Sequence, residues 1–101
     1  VVIGSAGERA LCRRVADAVP AARLLAGRPL GWVVALLAGA RGLAANDSGP
    51  AHLAAALGRR TAAVFTGATD PAICRPIGPP GCVAVFDADA RPADVAAHLL
   101  E

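Results

Sequence analysis

Apolar residues along the chain alternate between short continuous runs and runs spaced three or four residues apart. The continuous runs predict buried strands over Val1–Gly4, Ala22–Ala26, Leu43–Asn46, Thr61–Phe65 and Cys82–Phe86. The spaced runs predict helices over Glu8–Val19, Pro29–Leu37, Pro50–Leu57 and Pro92–Leu100. Because strands and helices alternate, the pattern favours an α/β fold, a parallel sheet with flanking helices and right-handed crossovers. The length, 101 residues, limits the chain to one domain, residues 1–101.

The spacing also predicts which parts of these elements are buried. In the first helix Leu11, Val15 and Val19 recur every four residues and are expected to face the sheet. His98, on the last helix, is expected to be solvated. The stretch from Thr66 to Gly81 is rich in glycine and proline and is predicted to be one long loop, a feature often associated with function or mobility.

The most distinctive polar stretch is Asn46–His52, which joins a predicted strand to a predicted helix. Asp47 or Ser48 is expected to cap that helix, and Pro50 suits its first turn. The turn would present a carboxylate, a hydroxyl, free backbone N–H groups and the imidazole of His52 at the positive end of the helix dipole. Such an arrangement can hold a phosphate and the sugar attached to it.

Other polar residues follow the remaining predicted strands. Ser5–Glu8 follows the first strand, Gly27-Arg28 the second, and the turn containing Thr69 the fourth. Ligands of open parallel sheets bind beyond the carboxyl ends of the strands. The sequence therefore predicts a ligand site at that end of the sheet.

Composition excludes several classes of partner. The net charge of +2 is too small, and aromatic residues too few, to indicate nucleic acid. The three cysteines, Cys12, Cys74 and Cys82, are widely spaced and are predicted to be reduced, buried thiols. No metal-ligand cluster is visible, and no apolar run approaches the ~20 residues of a membrane span. A cytoplasmic protein without a membrane span is therefore expected.

Two segments carry a resemblance to a known family. Residues 46–58 and 63–71 resemble the signature of glycosyltransferase family 9, the lipopolysaccharide heptosyltransferases and their relatives. Val1–Arg9 and Leu25–Leu30 follow the same family order. The resemblance implies the Rossmann-like, C-terminal half of a GT-B-type enzyme. It also implies that residues 1–101 lack both the first strand–helix unit of the donor domain and the N-terminal acceptor domain.

The same resemblance implies roles for individual residues. Asp47 would contact the donor sugar or phosphate, while Ser48 and Gly49 would contact the diphosphate through their backbones. Glu8 falls where the family places an acidic contact to the ribose, and the Arg28 backbone would lie near the base. No catalytic residue is expected in this chain, because the family's base lies in the acceptor domain.

Each candidate also has a plain structural interpretation. Asp47 and Ser48 could be only helix caps, worth ~1 kcal/mol. Glu8 could be a first-turn acid favoured by the helix dipole, and Thr69 could belong to an ordinary turn rather than to a ligand-binding loop. His52 could be only a packed or capping histidine, or it could orient Asp47 or touch a phosphate.

The function predicted from these observations is donor binding in an inverting glycosyltransferase of bacterial cell-envelope glycan or lipopolysaccharide synthesis. The donor would be a nucleotide-diphospho-sugar, with ADP-heptose favoured, and no metal or other cofactor is expected. The acceptor glycan or lipid would bind through the missing N-terminal domain, which would place the enzyme peripherally at the inner membrane. The alternatives are part of a GT-B-like sugar-nucleotide epimerase and a non-catalytic domain that binds a sugar nucleotide or a partner protein.

Overall fold

A computed structural model describes residues 1–101. Its strands are Val2–Gly4 (β1), Leu24–Ala26 (β2), Gly42–Asn46 (β3), Arg60–Phe65 (β4) and Val83–Asp87 (β5). Its helices are Arg9–Asp17 (α1), Leu30–Gly39 (α2), Gly49–Ala56 (α3), Pro71–Cys74 (α4) and Pro92–Leu100 (α5), and a 3-10 turn precedes α1. Every predicted strand and helix is present. The predicted α/β fold is therefore confirmed.

All of the strand pairs are parallel, as predicted. The strands nevertheless form two sheets rather than one, because β1 pairs with β2 and β4 lies between β3 and β5. The chain divides correspondingly into two compact units, Val1–Val33 and Val34–Glu101. The architecture within the units is Rossmann-like, whereas the single domain over residues 1–101 stays a prediction.

In the first unit, α1 presents a different face to the strands from the one predicted. Leu11, Val15 and Val19 are each more than half exposed, so their predicted burial is wrong. Cys12 is buried instead, and its Sγ lies 3.7 Å from the Ile3 carbonyl oxygen. A glycine at position 4 permits this approach, because a Cβ there would lie only 2.5 Å from Cys12 Sγ. Space beside β1 therefore decided the orientation of the helix.

The core of the second unit is made mainly of small side chains. Its fully buried alanines lie on α3 and β4: Ala51, Ala54, Ala55, Ala62 and Ala63. Small residues let α3 pack closely against the strands it covers, and Leu37 and Phe65 supply the larger buried groups. The polar turn between β3 and α3 is therefore flanked by a strand and a helix that pack closely against each other.

Two predictions about the second half of the chain are wrong. His98 is buried rather than solvated, with Nε2 3.1 Å from the Cys82 carbonyl oxygen and its ring edge-on to Phe86. The predicted loop from Thr66 to Gly81 contains the short helix α4, which Asp70 caps by accepting a hydrogen bond from the Ala72 N–H at 2.9 Å. The contact of His98 with Cys82 joins residues far apart in sequence, and the Asp70 cap is a local hydrogen bond. A hydropathy pattern records neither kind of contact.

The three cysteines are free thiols, and only Cys12 is buried, whereas Cys74 and Cys82 are partly exposed. The prediction of buried thiols therefore holds for one of the three. None of the helices combines the length and the apolarity needed to cross a bilayer.

Candidate functional site

The polar turn begins where β3 ends at Asn46 and finishes where α3 starts at Gly49. Pro50 lies in the first helical turn, as predicted. Ser48 occupies the N-cap position in an extended conformation, but its hydroxyl donates a hydrogen bond to the Asn46 carbonyl at 3.2 Å. Because that hydroxyl does not accept from the helix backbone, the predicted side-chain cap is wrong.

The first turn of α3 offers fewer free donors than the sequence suggested. The N–H groups of Ala51 and His52 both donate to the Ser48 carbonyl, at 3.2 and 3.4 Å. Pro50 has no N–H to offer. Gly49 is exposed and is the first residue of the helix, where an N–H has no intrahelical acceptor. An anion at this helix end would therefore meet the Gly49 N–H.

Asp47 is held by two side chains from different parts of the second unit. Thr69 Oγ1 donates a hydrogen bond to Asp47 Oδ2 at 2.6 Å. Asp47 Oδ1 lies 3.5 Å from His52 Nε2, and the Asp47 side chain is 20% exposed against 49% for His52. Neither Asp47 oxygen caps α3. The structure instead brings three predicted site residues, Asp47, His52 and Thr69, together in one cluster. We call Asp47, His52 and Thr69 the carboxylate cluster.

A pocket of about 390 Å³ lies beside this cluster at the carboxyl ends of β4 and β5. Its lining residues combine two phenylalanines with polar side chains: Phe65, Gly67, Thr69, Pro71, Val85, Phe86 and Asp87. Of these residues only Thr69 was predicted as a site residue, although Phe65, Gly67 and Pro71 lie in the segment that resembles the family signature, and Val85, Phe86 and Asp87 were not singled out. The position of Asp87 could have indicated the site, because Asp87 ends a strand and parallel sheets bind ligands beyond the carboxyl ends of their strands.

Glu8 lies in the first unit and interacts with its own turn. The Ser5 N–H donates to Glu8 Oε1 at 2.9 Å, and the Glu8 N–H donates to the Ser5 carbonyl at 3.1 Å. The Ser5 backbone N–H, followed by its hydroxyl, lowers the pKa of the exposed Glu8 carboxyl below its ordinary value. This geometry agrees with the structural interpretation of Glu8, and its contact with a ribose stays a prediction.

Glu8 should make the stability of the protein depend on pH in the acid range. Its folded pKa lies below the ordinary value of 4.5, so its stabilising effect is full above 4.5 and disappears as the pH falls through the folded pKa. We expect Glu8→Gln to remove that dependence. Urea unfolding of the natural full-length protein and of its Glu8→Gln variant across the acid range measures it, with Asp17→Asn, an exposed acid on α1, as the control. Identical pH dependence in the wild type and Glu8→Gln would contradict the assignment.

Arg28 also belongs to the first unit. Its guanidinium carbon lies 5.1 Å from the centroid of the Trp32 ring, and both side chains are exposed. An exposed cation–π contact of this kind is worth about 0.5–1 kcal/mol. The predicted contact between the Arg28 backbone and a base stays a prediction.

Parallel strands that alternate with helices, with a polar turn at the carboxyl end of β3, define a Rossmann-like α/β protein. The model of glycosyltransferase family 9 (heptosyltransferase) matches residues 1–95, and the chain belongs to this family. The predicted family is thereby confirmed. Neither the curated proteins nor the solved structures include a significant match. Membership supports a glycosyltransferase function, and it implies a nucleotide-sugar donor and an acceptor as partners.

No group of three or more His, Cys, Asp and Glu side chains is arranged to hold a metal ion. The carboxylate cluster contains one carboxylate and one imidazole, fewer ligands than a protein metal site ordinarily supplies. Independence from metal stays a prediction.

Proposed function

We propose that this chain is the donor-binding part of an inverting glycosyltransferase, with a nucleotide-diphospho-sugar, ADP-heptose in the first place, as donor. The observation that carries the proposal is the carboxylate cluster at the carboxyl end of β3, next to the first turn of α3. Ligands of parallel sheets bind at such strand ends, and helix N-termini favour phosphate. The helix-cap interpretation does not account for these two residues, because neither the Asp47 nor the Ser48 side chain caps α3.

In an inverting transfer, a base removes the proton from an acceptor hydroxyl. The acceptor oxygen then attacks the anomeric carbon from the face opposite the leaving group. The bond from that carbon to the diphosphate breaks, and the nucleoside diphosphate departs with the electron pair. The acceptor and the base would lie in the N-terminal domain, so this chain would hold the donor and stabilise the leaving group.

Individual groups divide that task. The Gly49 N–H and the positive end of α3 would stabilise the charge that develops on the diphosphate. His52 turns Nε2 towards Asp47, which leaves Nδ1 for a second partner. The carboxylate of Asp47 retains lone pairs beyond the one that Thr69 uses, so it can also accept a hydrogen bond from a sugar hydroxyl.

The strand order supports the proposal that the first strand–helix unit of the donor domain is missing. A dinucleotide-binding Rossmann sheet has the order 3-2-1-4-5-6. Without its strand 1, such a sheet would leave a pair, 3-2, and a triplet, 4-5-6. The five strands are paired in that way, with β1 beside β2 and β4 between β3 and β5. On this assignment β1 and β3 each keep one open edge.

The biological setting follows from the family alone. The acceptor would be a glycan or lipid of the bacterial envelope, as in lipopolysaccharide synthesis. The enzyme would work in the cytoplasm at the face of the inner membrane, without a metal cofactor. These assignments are proposals that rest on the family match.

Calorimetric titration of the natural full-length protein tests the function. We expect ADP and ADP-heptose to bind, and UDP-glucose to bind more weakly. Failure of all three ligands to bind to a folded sample would overturn the proposal. Conversion of the nucleotide sugar in the absence of any acceptor would indicate an epimerase instead.

A further inference from the structure

The bond between Thr69 and Asp47 joins two turns that are far apart in sequence. Thr69 lies between β4 and α4, whereas Asp47 lies between β3 and α3. The 2.6 Å distance is typical of a hydroxyl that donates to an ionised carboxylate. The two turns follow adjacent parallel strands, which explains how residues so distant in sequence meet.

The backbone on both sides of Thr69 is constrained. Gly67 has a φ of +98°, a conformation that other residues rarely adopt. The path of the backbone before Thr69 therefore depends on a glycine at position 67. Asp70 follows Thr69 and caps α4, whose first turn begins with Pro71. Asp70 accepts a hydrogen bond from the Ala72 N–H, and because a carboxylate has no proton to donate, it cannot replace Thr69 as the donor to Asp47. The Thr69 hydroxyl is thus the side-chain donor that this turn presents to Asp47.

We propose that Thr69 is a positioning residue: it fixes the Asp47 carboxylate for the donor and acts through Asp47 rather than by touching the ligand. This role rests on the proposed function of the cluster. An aspartate side chain held at one oxygen cannot rotate freely, so its other oxygen points in one direction. That oxygen, Oδ1, lies 3.5 Å from His52 Nε2.

A double-mutant cycle separates positioning from direct contact. The variants are Thr69→Val, Asp47→Ala and the two combined, in the natural full-length protein, with the dissociation constant for ADP-heptose as the readout. If Thr69 acts through Asp47, Thr69→Val weakens binding roughly tenfold in the wild-type background and less than about twofold in Asp47→Ala. If Thr69 touches the ligand, the tenfold loss persists in both backgrounds.

Three further variants complete the experiment. Thr69→Ser keeps the hydroxyl and is expected to bind within about twofold of the wild type. Thr66→Val removes the other threonine hydroxyl of the same turn and serves as the matched control. Thr69→Ala replaces the valine variant where that variant fails to fold, and thermal melts verify folding throughout.

The outcomes distinguish this role from the function on which it rests. If Thr69→Val binds ADP-heptose as tightly as the wild type, the positioning role is overturned and the donor site is left intact. The same conclusion follows if Thr69→Val weakens binding equally in the wild-type and Asp47→Ala backgrounds. An equal loss in Thr66→Val would also overturn it, because the effect would then belong to the turn as a whole. Absence of wild-type binding in a folded sample would overturn the proposed function and the positioning role together.

Discussion

Asp47→Ala in the natural full-length protein should lower glycosyl transfer by roughly tenfold or more, since each ~1.4 kcal/mol of lost transition-state stabilisation costs a factor of ten. The melting temperature should change little. A helix cap would have contributed ~1 kcal/mol of stability, but Asp47 contacts Thr69 and His52 instead of the α3 backbone. We therefore expect the loss to appear in the kinetics of transfer and in donor affinity.

A matched control for that variant is Asp94→Ala, which removes a carboxylate of the first turn of α5 that pairs with Arg91. It is expected to keep wild-type kinetics, because an exposed ion pair of this kind contributes little even to stability. Steady-state kinetics and thermal melts of both variants provide the comparison. An Asp47→Ala protein that melts earlier but transfers sugar at the wild-type rate would show that Asp47 is only structural.

The second large effect concerns residues 1–101 expressed on their own. We expect this chain to self-associate or to fold poorly, and to show no transferase activity. The strand β1 pairs only with β2, and β3 pairs only with β4, so each sheet keeps an edge that can pair with another chain. Exposed apolar side chains on α1 and just after it, namely Leu11, Val15 and Val19, add surface that favours association.

Size-exclusion chromatography with light scattering, followed by a thermal melt, tests this expectation. The natural full-length protein serves as the control, since its additional segments would cover the open edges under the proposed domain assignment. A stable monomer with one cooperative transition would show that the two sheets are complete as they stand. Sugar transfer by residues 1–101 alone would contradict the assignment of the acceptor site and the base to another domain.

The hydrophobic pattern was sufficient for the type and order of the main elements. Strand and helix periods differ strongly, so short apolar runs and spaced apolar residues were assigned correctly along the chain. The pattern was insufficient for α1, where it favoured Leu11 and Val15 over Cys12 as the buried residues. Periodicity identifies an apolar stripe, but the space beside Gly4 determined which side of the helix meets the strands.

Packing also decided the environment of His98. A histidine near the end of a helix looks solvated in a linear pattern. It is buried because α5 packs against β4, and the Cys82 carbonyl, which precedes β5, lies within hydrogen-bond distance of its ring. No local rule relates two positions that distant in sequence.

The sequence by itself determined that a polar turn follows β3 and that Pro50 lies at the start of the helix after it, because turn and helix-start preferences are local. It also determined the family, through residues that stand in one continuous order. Only the tertiary structure decided what the polar atoms do. Asp47 meets Thr69 because the adjacent parallel strands β3 and β4 have their carboxyl ends at the same end of the sheet. The carboxylate that local rules assigned to a helix cap is therefore held by a residue of the neighbouring turn.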